Sequence, residues 1–125
     1  MIHNPKFTAE VGDGFIHLKT RGKLNADDLD APVDAALKLA AEKDIHNLLD
    51  DIREVDHTDF SMHVQSKSMG VMWKLRKFKK VAIIMDGGAL KTLFMSTLSV
   101  LHLNHSQFKA FDNPNDAIRW LTDKA

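Results

Sequence analysis

Val81-Ala82-Ile83-Ile84-Met85-Asp86-Gly87-Gly88, followed by the apolar stretch Ala89 to Leu103, decides how this 125-residue chain folds. A continuous apolar run that ends in Asp-Gly-Gly and passes into a helical pattern marks a strand buried on both faces, a tight loop and a packed helix. Such strands belong to parallel sheets, so half of a βαβ unit is already present.

Upstream of that stretch, Lys74-Leu75-Arg76-Lys77-Phe78-Lys79-Lys80 places five cations in seven positions. Before it, the spacing predicts a second helix from about Thr58, Asp59 or Ser61 to Lys77. This helix has two apolar lines, with Val64, Val71, Met72 and Leu75 on one side and Met62, Met69 and Trp73 nearly opposite. A sheet can cover only one of them. The plain expectation is that the third helix packs on the other, because methionine and aromatic lines at helical spacing usually pack. The alternative is a deformable pocket, a partner groove or a membrane-surface contact.

Leu48-Leu49-Asp50-Asp51-Ile52 is a short strand with two adjacent acids, which face opposite ways and so do not share one site. Ligands of open α/β sheets gather at the carboxyl ends of strands, which draws notice to Asp50–Asp59. The plain expectation for these acids is solvation near a helix start. Towards the N-terminus, Phe7–Val11 and Phe15–Thr20 flank Gly12-Asp13-Gly14 and predict an antiparallel hairpin with His17 turned away from the main core. Asn25 caps a first helix ending near Lys43, in which Pro32 calls for a kink or a turn restarting at Asp30. The third helix keeps one broad stripe, Leu90, Leu93, Phe94, Thr97, Leu98 and Leu101. Gln107–Phe111 is a final strand, and Asn113-Pro114-Asn115-Asp116 opens a final helix sealed by Ala117, Ile118 and Leu121.

Composition narrows the function classes. A 44% hydrophobic, 27% charged chain of this length is a single domain, 1–125, able to bury about two-thirds of its unfolded surface. The absence of cysteine removes disulfide and thiolate chemistry. Neither a signal segment at Met1–Lys6 nor a span-length apolar run is present, so a cytoplasmic home is expected. Residues 1–62 hold 13 acids and 7 cations, and the zero net charge with a pI near 7.1 argues against general nucleic-acid binding.

The order β-β-α-β-α-β-α-β-α, with Gly22-Lys23-Leu24 leading to Asp28 and Pro32, then Leu48-Leu49-Asp50-Asp51, Phe78 to Ile84 and Phe111 to Leu121, resembles the SpoIIAA-like family of the STAS (sulphate transporter and anti-sigma factor antagonist) group. That resemblance implies an α/β fold with a mixed four- to five-stranded sheet, an N-terminal antiparallel hairpin, βαβ units and about four helices. It also implies, as is typical of the family, no catalytic activity, and no cofactor is expected. In phosphorylation-switched members an Asp, seven residues, then Asp-Ser-Ser-Gly opens the second helix. Laid over this chain, Asp51 and Asp59 fall on the acids, Phe60 on the phosphoacceptor, Ser61 on the second Ser and Met62 on the Gly. Phenylalanine accepts no phosphoryl group, and Ser61 would serve only after a one-residue shift that rotates it by about 100°. SpoIIAA-like proteins are also similar in fold to lipid-carrying domains of the CRAL-TRIO type, an analogy at fold level only.

Three chemistries compete with a binding role. Asp50, Asp51 and Asp59 invite a divalent metal with Lys80 or Lys91 beside a phosphoryl group, although their spacing is nonspecific. Asp86-Gly87-Gly88 lacks the full phosphate-loop pattern. The pairs His102/His105 and His57/His63 lack a third ligand or a common face, and Ser61 lacks a nucleophile elbow. The expectation is therefore a non-enzymatic binding domain without metal. Its ligand-binding residues would be Met62, Met69, Trp73, Leu90 and Phe94, its surface-binding cations Lys74, Arg76, Lys77, Lys79 and Lys80, and its regulatory loop Asp51, Asp59, Phe60 and Ser61. The expected partner is an apolar small molecule or lipid, a peripheral membrane surface, another protein, or a second copy of the chain.

Overall fold

The computed structural model describes residues 2–4, 6–23, 28–56, 70–86, 99 and 107–123. Six strands lie side by side in chain order: β1 (Ile2–Asn4), β2 (Phe7–Val11), β3 (Ile16–Lys23), β4 (Asn47–Asp56), β5 (Lys80–Ile84) and β6 (Phe108–Phe111). β1, β2 and β3 run antiparallel, whereas β3 through β6 are parallel. The expected mixed sheet with its opening hairpin is thus present, and the three-residue β1 adds a short edge.

Val81 to Met85 are all buried, as an apolar parallel strand requires. Their side chains divide between two cores. Val81, Ile83 and Met85 join Ile16, Leu18 and Leu48 on one face, where Val33, Ala36 and Leu39 of the first helix and Leu75 close over them. Ala82 and Ile84 join Phe15 and Leu49 on the other, under Ala117 and Leu121 of the C-terminal helix. Helices therefore cover both faces, which is what lets Val81 to Met85 be apolar on both sides of the sheet.

The first helix spans Asp30–Lys43, so the restart at Asp30 is what forms. Pro32 then falls in the opening turn, where its missing N–H would have had no intrahelical acceptor. Asp44 ends the helix in the left-handed region at φ 52°, its N–H donating to the Ala40 carbonyl. Residues 70–75 are helical and pass by a turn into β5. No helix among the described residues is long and apolar enough to cross a membrane.

The C-terminal helix, Pro114–Thr122, has only nine residues, too few to persist alone in water. Two devices hold it. Ala117 and Leu121 are buried, and the Asn113 side chain caps the first turn, Oδ1 accepting from the Asp116 N–H at 2.9 Å while Nδ2 donates to the Asp116 carboxylate at 2.9 Å. Replacing Asn113 with Ala should cost about 1 kcal/mol. Urea denaturation should show a lower midpoint at unchanged slope, since the cap alters stability without altering the surface exposed on unfolding.

Candidate functional site

Among the described residues, two places concentrate the polar and exposed chemistry: the end of helix 70–75, and the carboxyl half of β4. At the helix end, Val71 and Met72 are half-buried against the core and Leu75 is fully buried, while Trp73 projects the other way and is 47% exposed. The Arg76 guanidinium lies over the Trp73 ring, 4.5 Å from its centroid. This is the favourable geometry for a cation and an aromatic face.

That helix end is fixed from several directions. Turn bonds run from Arg76, Lys77 and Phe78 N–H groups to the Trp73, Lys74 and Leu75 carbonyls. The Gln107 side-chain amide donates to the carbonyls of Arg76 and Phe78, satisfying acceptors that a helix terminus leaves open. Lys79 N–H bonds the His46 carbonyl at 2.6 Å, stitching the turn to the β4 approach.

The basic run divides by role. Lys74 is shared between Asp30 at 2.9 Å and Asp34 at 3.1 Å, and these two bonds hold its ammonium above the ordinary lysine range. It fastens the 70–75 segment to the first helix. Lys80 reaches the carbonyls of Trp120 and Asp123 at 3.0 and 3.4 Å and sits over the Trp120 ring, so it serves the C-terminal helix. Arg76, Lys77 and Lys79 are the exposed members of the run. Both tethers involve residues about forty positions away, beyond the reach of local spacing. Of the expected ligand-binding set, Trp73 is described, whereas Met62, Met69, Leu90 and Phe94 lie outside the described residues. The same holds for Asp59, Phe60 and Ser61 of the regulatory loop.

The β4 acids are not solvated. The strand continues to Asp56, so Asp50 and Asp51 sit within the sheet, at 9% and 3% exposure, and not beside a helix start. Alternation sends them to opposite faces. Asp51 shares its face with Leu49 and is met by Arg53: Oδ1 accepts from Arg53 Nε at 3.0 Å and from the Arg53 backbone N–H at 3.1 Å, and Oδ2 accepts from a terminal guanidinium nitrogen at 2.8 Å. The register between β3 and β4 slips here, Lys19 facing Asp51 but Arg21 facing Glu54. One extra residue on β4 turns Arg53 back towards Asp51, and the Asp51 side chain bonds the Arg53 N–H locally. Burial alone would raise the Asp51 pKa. The bonds from Arg53, with the charges of Arg53 and Lys19, outweigh it and hold the carboxyl below its ordinary value.

Asp50 has the opposite fate. It lies between Leu18 of β3 and Ile83 of β5, its Oδ1 has no hydrogen-bond partner among the described residues, and burial followed by the Asp51 charge pushes its pKa up to about 7. Asp51 is therefore held in its ionised form and fully engaged, whereas Asp50, in an apolar layer, keeps its proton up to about pH 7. Among the described residues, no three His, Asp or Glu gather in a way that could hold a metal ion. Sequence reasoning missed the Arg53 clamp and the burial of Asp50. The available signal was Leu48-Leu49 leading into the acids, which marks a strand buried on both faces.

A sequence model of the SpoIIAA-like family matches residues 15–122. Among solved structures, an uncharacterized protein of the DUF3478 family with a SpoIIAA-like fold, from Shewanella loihica PV-4, is 27% identical, with 97% of this chain and 98% of that chain covered and a TM-score of 0.64. An anti-sigma factor antagonist from Mycobacterium paratuberculosis is 16% identical over 98% of this chain and 100% of its own, with a TM-score of 0.64. The anti-sigma factor antagonist SpoIIAA in its unphosphorylated form is 9% identical over 90% and 93%, with a TM-score of 0.56. The last two likenesses speak to fold alone, and no curated protein matches the chain. Since the matched segment runs from the residue before β3 through the C-terminal helix and takes in both cores, the chain belongs to the SpoIIAA-like family.

Proposed function

We propose that this domain acts by binding and not by catalysis, and that its partner is an acidic protein surface docking on Trp73, Arg76, Lys77 and Lys79. The observation that carries this reading is an indole left 47% exposed on a helix end whose other side is locked into the core, with a guanidinium stacked upon it. Trp and Arg are the side chains most enriched where a few residues supply most of the binding energy. Here they lie side by side on backbone held by turn bonds, the Gln107 amide and Lys74, which limits the order that has to be gained on binding. The family supports the same direction, because two of the solved structures that share its fold are of proteins named as antagonists that act on another protein.

A peripheral membrane contact is the second reading, and the charges weigh against it. With Lys74 and Lys80 engaged inside the fold, three cations remain, worth about 1 kcal/mol each near an anionic leaflet. One indole and three cations amount to a single weak anchor, and stable attachment takes two signals. A catalytic acid cluster fares worse, since both Asp51 oxygens are already taken by Arg53. The apolar-ligand reading would draw on Trp73 together with Met62, Met69, Leu90 and Phe94.

The test compares the wild type with a Trp73→Ala, Arg76→Glu double variant. Trp73 is exposed and Arg76 is a surface residue, so the circular dichroism spectrum and melting midpoint should stay nearly unchanged. A protein partner captured from the source organism's extract by the wild type should bind the double variant at least thirtyfold more weakly, from about 2 kcal/mol or more lost at such a centre. Equal capture by both would overturn the proposed surface. Wild-type sedimentation with phosphatidylserine vesicles, abolished in the double variant, would instead favour the membrane.

A further inference from the structure

The Arg53 clamp accounts for Asp51, but no polar contact among the described residues accounts for Asp50. Its side chain shares a face with Leu48 and Ile52, the face on which the first helix and the 70–75 segment close. It is flanked by Leu18 and Ile83, and Oδ1 has no hydrogen-bond partner among the described residues. An ionised carboxylate in such a place has no donor or cation among the described residues to replace its lost hydration. A neutral acid does not face that cost, and packs as a small polar side chain.

We propose that Asp50 is a proton-operated switch of the helix layer: its proton keeps the first helix and the 70–75 segment closed on the sheet, and loss of that proton loosens the layer towards water. The groups facing it from the sheet, Ile16, Leu18 and Thr20 on β3 and Val81, Ile83 and Met85 on β5, carry no charge. The first helix presents Val33, Ala36, Leu39 and Ala40 to this core, and its charged Lys38, Glu42 and Lys43 are exposed. Asp30 and Asp34 are taken by Lys74, the charged residue of the 70–75 segment. Asp51, next in the chain and held ionised by Arg53, is the charge that acts on Asp50, and it opposes ionisation. The switch is therefore set by burial and reinforced by a fixed negative neighbour.

The sign follows from the displacement. Asp50 titrates near 7 in the folded protein and near the ordinary 3.8 when unfolded. Between these values the folded state holds a proton that the unfolded state has lost, so stability is greatest below the unfolded pKa and falls as pH rises. Above about 7 the folded protein loses the proton as well, and the decline levels off. The segment that would lift is the one that carries Trp73 and Arg76, yet the switch stands whether or not that surface binds a partner.

Two variants test it: Asp50→Asn, close in shape and uncharged, and Asp50→Leu, which fills the site with apolar atoms should the amide not be accommodated. Urea denaturation at half-unit steps from pH 5 to 8 gives the folding constant of each protein. Subtracting either variant from the wild type at each pH removes the contribution of the histidines. The wild-type folding constant should fall relative to the variant's by about tenfold for each pH unit from 5 to 6.5 and then flatten above 7. Hydrogen exchange at pH 8 should be faster in the wild type at residues 48–52 and 70–75. Parallel wild-type and variant stabilities across the range, or equal exchange at those amides, would overturn the proposal.

Discussion

β4 is the strand on which the rest of the structure depends, because it lies between two parallel neighbours and is covered by helices on both faces. Over residues 48–51 such a strand has no solvated side to which a polar residue can be sent. Leu48 and Leu49 satisfy the requirement in the usual way, one in each core. Asp50 and Asp51 do not, and the chain resolves them by two different means. On one face a slipped register brings Arg53 back to clamp Asp51 as an ion. On the other, no cation among the described residues meets Asp50, and burial keeps its proton on up to about pH 7. Two adjacent, chemically identical side chains are thereby separated in charge by the environments that strand alternation assigns to them.

The same division organises the surface. The helix layer above Asp50 is secured at its margin by Lys74, which joins the 70–75 segment to Asp30 and Asp34, and by the Gln107 amide on the carbonyls that follow. Polar ties at the edge and apolar packing beneath hold Trp73 outward with Arg76 upon it. On the far face, Lys80 performs the corresponding task for the C-terminal helix by bonding the Trp120 and Asp123 carbonyls. The basic run is thus partly a set of fasteners, and the exposed remainder, Arg76, Lys77 and Lys79, forms the patch beside the indole.

Much of this was legible in the sequence, for reasons that differ by element. Val81 to Met85 declare themselves because apolarity without alternation has few explanations other than a strand covered twice. The C-terminal helix is announced by Asn113 and Pro114, and the start of the first helix at Asp30 by the constraint Pro32 imposes. β1 escaped notice because three residues before a proline carry almost no pattern. The burial of Asp50 and Asp51 was missed because Leu48 to Ile52, taken alone, does not reveal that pairing with β3 extends the strand to Asp56. Arg53 depends on a slip in register, and the duties of Lys74 and Lys80 on partners about forty residues distant. Such contacts are properties of the assembled sheet and not of any local window.

The separation of the two β4 acids can be measured directly by following the side-chain carboxyl carbons of Asp50 and Asp51 by ¹³C NMR through a pH titration of the wild-type protein. The account predicts an Asp51 carbon that titrates below the ordinary 3.8 and an Asp50 carbon whose midpoint lies at about 7. Two midpoints together near 4, or Asp51 titrating above Asp50, would contradict it.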